Sequence, residues 1–94
     1  MTRADLLERL KALKPWLEAQ GLSRVRLFGS YARDAARPES DVDLLVELSR
    51  PMGAEFFALQ AELSRRLGLR VEMFTNAELH RIVLRQALAE AIDA

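Results

Sequence analysis

The chain predicts a small α/β fold, a sheet of about three or four strands flanked by helices. Three observations carry the prediction. Leucines recur at helical spacing near the N-terminus and again in mid-chain, short runs alternating apolar with charged residues lie between those stretches, and glycine or proline stands at most of the joins. The resulting order is helix, strand, short helix, strand, helix, strand, helix, which is satisfied by packing helices on a sheet.

The first element is a helix from about Thr2 to Gln20. Leu6, Leu10, Leu13 and Leu17 fall on one stripe, Pro15 sits inside it where it can kink or divide the helix, and Gly21 closes it. "SRVRLFG" then reads as a strand, with Val25 and Leu27 alternating with Arg26 and Phe28. "YARDAAR" is rich in helix formers and stops before Pro38, so a short helix of about two turns is expected there. "DVDLLVEL" is a second strand: Val42, Leu44, Val46 and Leu48 form a face to be buried, and Asp41, Asp43, Leu45 and Glu47 form the other. Phe56, Leu59, Leu63 and Leu67 make the stripe of a second long helix that ends at Gly68. "LRVEMF" is a third strand, with Leu69, Val71 and Met73 on one face and Glu72 on the other. The last stretch, "NAELHRIVLRQALAEAIDA", reads as a helix capped by Asn76 that buries some of Leu79, Val83, Leu84, Leu88 and Ile92.

At 94 residues the chain is expected to form one domain over 1–94, without a second domain to wall off a cleft. Half of its residues are hydrophobic and its 14 basic and 14 acidic side chains cancel, so it is neither disordered in composition nor basic enough to live on nucleic acid. The absence of cysteine removes disulfides, thiolate metal sites and cysteine nucleophiles together. The N-terminal stretch mixes charge with leucine, unlike a signal peptide or a membrane span, so a cytoplasmic protein with no membrane partner is expected.

The polar residues of "LFGSYARDAARPESDVDLLVEL" are where chemistry concentrates. Asp41 and Asp43, two apart on a strand, leave the same face about 7 Å apart and can converge on one cation. Two carboxylates, with water and substrate phosphate in the remaining positions, is a usual way to hold Mg²⁺. Taken alone, an Asp-x-Asp pair is more often a solvated strand face. Gly29 and Ser30, at a strand-to-helix join ten residues before Asp41, offer the matching half: backbone N–H groups that suit a phosphate, a glycine that lets the chain approach closely, and a hydroxyl that can either cap the helix or bond a phosphate oxygen. Together the pairs supply a phosphate cradle and a metal clamp for a nucleoside triphosphate.

Gly29-Ser30, ten residues, then Asp41-Val42-Asp43 resembles the signature of the minimal nucleotidyltransferases of the DNA polymerase β superfamily. The signature covers about a fifth of the chain, and the order of elements agrees over nearly all of it. The resemblance implies a mixed sheet, two Mg²⁺ ions held by Asp41 and Asp43, and transfer of a nucleoside monophosphate, AMP from ATP, to a hydroxyl. It aligns Glu72 with the third carboxylate of the family, usually Asp, as a further metal ligand or an acceptor of the proton from the attacking hydroxyl. It also aligns Asp34 with a position that is commonly Gly, which Asp tolerates because it enters the left-handed region more readily than most residues.

Other polar and aromatic residues have plainer readings. Glu47 shares a face with Asp43 but, four residues further on, lies about 13 Å away from it, beyond one metal site, so it reads as solvated. Arg33 reads as an exposed helical arginine within reach of a phosphate, His80 as a surface residue, and Trp16, Phe28, Phe56 and Phe57 as core. Family members of this size resemble the antitoxin half of toxin–antitoxin pairs and work beside a helical HEPN-type partner, so the expected function is transfer of AMP to a hydroxyl of such a partner. The alternatives are a catalytically weak module that neutralises its partner by contact, and an antibiotic-type enzyme acting on a small molecule.

Overall fold

A computed structural model describes residues 1–94. Helix α1 (Arg3–Ala19) starts at a reciprocal cap in which the Thr2 hydroxyl accepts the Asp5 N–H at 3.1 Å while the Asp5 carboxylate accepts the Thr2 N–H. It continues through Pro15 as one helix, so the proline removes a hydrogen-bond donor without dividing the element. Strand β1 (Leu22–Phe28) follows, then β2 (Val42–Leu48), helix α2 (Glu55–Leu67), β3 (Val71–Phe74), helix α3 (Arg81–Glu90) and a two-residue strand β4 (Ile92–Asp93).

The four strands form one mixed sheet in the order β3-β2-β1-β4. β1 and β2 are antiparallel with Leu27 opposite Leu44 and Phe28 opposite Asp43. α2 carries the chain across to β3, which runs parallel to β2 and sets Glu72 level with Asp43. β4 returns antiparallel along the other side of β1, with Ile92 opposite Leu27. The outward N–H groups of edge strand β3 are taken by α2: Ser64 Oγ accepts from Val71 at 3.0 Å and Gln60 Oε1 from Met73 at 2.8 Å. That leaves less of the edge available for pairing with another strand.

The faces of the sheet are covered unequally. On one, Val25, Leu27, Val42, Leu44, Val46, Val71 and Met73 pack against Leu6, Leu10 and Leu17 of α1 and Phe56, Leu59, Leu63 and Leu67 of α2. On the other, α3 covers only a patch, where Ala87 packs on Phe28 and Leu45 with Phe74, Leu79 and Leu84 around them. Leu45 therefore belongs to a second small core, though it shares its face with the acidic residues.

Three expectations are revised. "YARDAAR" forms consecutive turns and no α-helix. Ala35 N–H bonds Ser30 C=O at 2.8 Å and Asp34 N–H bonds Tyr31 C=O at 3.1 Å, while Asp34 takes φ 57°. This is the hydrogen-bond pair that usually ends a helix, here ending the single turn Ser30–Arg33 before any helix has formed. The C-terminal stretch also does not form one helix: Thr75 and Glu78 cap a single 3-10 turn at Asn76–Glu78, α3 begins only after His80, and the chain finishes as β4. Within α3 only Ala87 is buried, with Val83 and Leu88 exposed. Phe57 is exposed as well, because it points away from the stripe formed by Phe56 and Leu59. Trp16 is half-buried beneath the Arg66 guanidinium, 4.0 Å from the ring centre.

Candidate active site

The turn after β1 brings Gly29 and Ser30 beside the acidic end of β2. Gly29 adopts φ 77°, and a Cβ built there would run into the Asp43 carboxylate, whose Cγ lies 3.3 Å from it. Glycine is thus required twice, for the left-handed backbone and for the space into which Asp43 reaches. The N–H groups of Ser30, Tyr31 and Ala32 and the Ser30 hydroxyl have no acceptor or donor within the chain. Ser30 is accordingly not a helix cap, and its hydroxyl is free for another partner. Gly29 N–H is used differently: it donates to Glu90 Oε1 at 2.9 Å.

Asp34 fits the left-handed position and adds a contact that glycine could not make, its carboxylate accepting the Arg3 N–H at the start of α1 at 3.3 Å. A carboxylate is favourable beside the unpaired N–H groups of a helix N-terminus. Arg3 in turn donates to Ala32 C=O at 3.1 Å. The turn after β1 is therefore tied to α1 from both sides.

The three carboxylates sit in different environments. Asp43, inside β2, is half-buried, and its pKa is pushed up from the ordinary 3.8 to about 6 by burial first, then by the negative charges of Glu72 and Asp41, with Arg33 opposing and Glu90 adding. Asp41 stands just before β2, where its Oδ1 bonds Arg70 Nε at 2.5 Å. Glu72 is exposed on β3, in register with Asp43. Asp41, Asp43 and Glu72 thus share one end of the sheet, but no three acidic or histidine side chains close around a common point as a ready-made metal cage. The donor set fits a cation held by two carboxylates and completed by phosphate and water, and the uncompensated charge at Asp43 is what such a cation would relieve. Glu47 is on the same strand face and is exposed, as expected, and it is also engaged by Arg24 and Arg26 at 3.5 and 3.4 Å.

Two residues that sequence reading passed over complete the picture. Glu90 joins Gly29 to Arg33, whose Nη1 bonds both of its oxygens at 3.1 and 3.0 Å. Arg70 occupies an oxygen of Asp41. Neither has a local signature, since Glu90 lies 61 residues from Gly29 and Arg70 lies 29 from Asp41. Asp41, Asp43 and Glu72 line none of the five main surface hollows, and Glu72 is exposed with Asp41 and Asp43 partly buried.

Comparison with known proteins identifies the family. A family model described as a nucleotidyltransferase domain matches residues 4–93. A protein of Methanocaldococcus jannaschii whose name describes a protein adenylyltransferase is 35% identical over 90 residues, covering 95% of this chain and 97% of that one. The protein adenylyltransferase MntA of Thermococcus cleftensis is 34% identical over 76 residues, covering 80% of this chain and 77% of its own. Among solved structures, one described as a minimal nucleotidyltransferase superposes with a TM-score of 0.83 at 36% identity, covering 98% of this chain and 95% of that one. A toxin–antitoxin structure with AMP-PNP shares the fold, with a TM-score of 0.74 at 19% identity over 93% of this chain and 70% of that one. No helix of the chain is long and apolar enough to cross a membrane. The turn at Gly29-Ser30, the acidic end of β2 and the match along almost the whole length lead to one conclusion: the chain belongs to the nucleotidyltransferase domain family, in its minimal branch, and is a nucleotidyltransferase.

Proposed function

We propose that the protein transfers AMP from ATP, with Mg²⁺, to a hydroxyl of a helical HEPN-type partner protein, and so acts as the antitoxin of a toxin–antitoxin pair. The observation that carries this reading is the meeting, at one end of the sheet, of the open Ser30–Ala32 turn with Asp41, Asp43 and Glu72. Ser30 and the turn's N–H groups would bind the triphosphate. Asp41 and Asp43, with Glu72 beside them, would hold the Mg²⁺ ions, which when bound neutralise phosphate charge and stabilise the attacking and leaving oxygens.

In the transfer the acceptor oxygen forms a bond to the α-phosphorus, the bond from that phosphorus to the bridging oxygen breaks, and pyrophosphate leaves. The proton of the acceptor hydroxyl passes to the carboxylate face, where Glu72 is exposed and in register with Asp43. The protein acceptor is favoured over a small molecule because Asp41, Asp43 and Glu72 line none of the main surface hollows: such a site gives a small acceptor little to hold it, and positioning supplies much of the rate in such transfers. A partner protein would bring both the hydroxyl and the missing wall. The relatives named for protein adenylylation support the same substrate class.

The test is incubation with labelled ATP and Mg²⁺ together with a co-expressed helical partner, free amino acids or aminoglycosides. AMP on the partner is the expected result. Rapid transfer to a small molecule with the partner unmodified would replace this reading with the antibiotic-type alternative, and partner neutralisation without any AMP transfer would replace it with the contact-only one.

A further inference from the structure

Glu90 stands where an anion is wanted. Its carboxylate accepts the Gly29 N–H at 2.9 Å and two bonds from Arg33 Nη1 at 3.0 and 3.1 Å, so one acidic side chain engages a glycine-turn amide and a guanidinium next to the open N–H groups of Ser30, Tyr31 and Ala32. An amide at a glycine turn and a guanidinium are the groups that bind phosphate oxygens. Glu90 is also badly placed in its own helix. It is the last residue of α3, which has no basic residue in its last turn, and a negative charge at a helix C-terminus opposes the helix dipole. Its bonds to Gly29 and Arg33 are therefore what hold it there.

We infer that Glu90 is an internal stand-in for phosphate, which holds Gly29 and Arg33 until nucleotide arrives and whose displacement by the triphosphate sets the affinity of the site. This rests on the triphosphate reading of the Gly29-Ser30 turn given above. The element that carries Glu90 can yield at small cost: Ala87 is the only buried residue of α3, Ile82, Val83 and Leu88 are exposed, and β4 beyond it pairs over two residues only. The opposite role is a strut. If Glu90 served only to hold the turn in shape, its loss would loosen the turn and weaken nucleotide binding.

The two roles predict opposite signs. In the full chain, Glu90→Gln keeps an acceptor for Gly29 N–H but gives up the charge held against Arg33, and Glu90→Ala gives up both. Affinities for ATP and for inorganic tripolyphosphate, each with Mg²⁺, are measured by calorimetry, and the melting temperature is measured without ligand. The expected result is a lower melting temperature in both variants with tripolyphosphate and ATP bound more tightly, by about tenfold for Glu90→Gln, the scale of one charge-assisted bond no longer competing. Measurable wild-type binding that is equal or weaker in Glu90→Gln overturns the inference alone and makes Glu90 a strut. Binding by neither the wild type nor the variants removes the triphosphate reading, and this inference with it.

Discussion

The two faces of the sheet are made by the same strands and are used in opposite ways. Behind α1 and α2, the inward side chains Val25, Leu27, Val42, Leu44, Val46, Val71 and Met73 are apolar and buried, with Leu48 partly so, and the face contributes stability. Beneath α3, the same strands alternate a small apolar patch, Phe28 and Leu45, with Arg26, Asp43, Glu47 and Glu72. Cover stops where the acids begin, and this leaves Asp43 half-buried with a raised pKa, a cost in stability that a purely structural face would not carry. Sites of function are commonly where such local costs collect.

The contrast can be broken most severely from the acidic side. Asp41→Asn and Asp43→Asn should each lower Mg²⁺-dependent transfer by about a thousandfold or more while the circular-dichroism spectrum stays native. Wild-type activity in either variant would show that the residue is no ligand of the Mg²⁺ proposed for the transfer.

Next in size is the core itself. Leu44 and Leu45 are neighbours with no exposed surface, one on each face. Leu44→Ala should cost about 4 kcal/mol, because two helices and the sheet enclose the resulting cavity, whereas Leu45→Ala should cost about 2 kcal/mol, because the lightly anchored α3 can settle into it. Denaturant unfolding measures both. Equal losses would show that α3 is held as firmly as α1 and α2.

The third test separates Asp43 from Asp41. Because the folded pKa of Asp43, about 6, lies above its unfolded 3.8, the fold favours the protonated form. No penalty is felt below about pH 4, and it develops fully as the pH rises through 6. Asp43→Asn should therefore be more stable than the wild type at pH 7.5 by about 1–2 kcal/mol, after allowance for solvent screening of a half-exposed group, and no more stable at pH 4. Asp41→Asn should show no such gain, since Asp41 has Arg70 beside it. A gain of the same size in both variants would mean that repulsion between the two acids outweighs the burial of one.

The smallest stability effect belongs to Ser30. With no hydrogen bond from its hydroxyl within the chain, Ser30→Ala should leave the unfolding free energy unchanged within about 0.5 kcal/mol and weaken ATP binding by about tenfold. A marked loss of stability with ATP binding intact would return Ser30 to a structural role.

Much of this was legible in the residues themselves. Leucine stripes located α1 and α2, and alternation located β1, β2 and β3, because burial on one face imposes a period of 3.6 or 2 that is written locally. The same logic put Asp43 and Glu72 on the faces opposite Leu44 and Met73, and the tolerance of Asp for left-handed backbone anticipated Asp34. The turn in place of a helix at Ser30–Arg33 was not legible even with Asp34 read as tolerating left-handed backbone, since that tolerance does not say that the chain closes there through the bonds from Ala35 to Ser30 and from Asp34 to Tyr31.

What only the tertiary structure decided are the meetings between distant parts of the chain. The level of Glu72 against Asp43 is set by the parallel register of β3 on β2, the burial of Leu45 by the arrival of α3, and the strand character of Ile92–Asp93 by a partner in β1, because two residues are too few to carry a period of their own. Glu90 on Gly29 and Arg70 on Asp41 belong to the same class. A charged side chain at the end of an element looks alike in sequence whether it faces water or a guanidinium, since its neighbours along the chain impose no pattern on it. Which of the two it meets is determined by where the sheet and helices bring the far end of the chain.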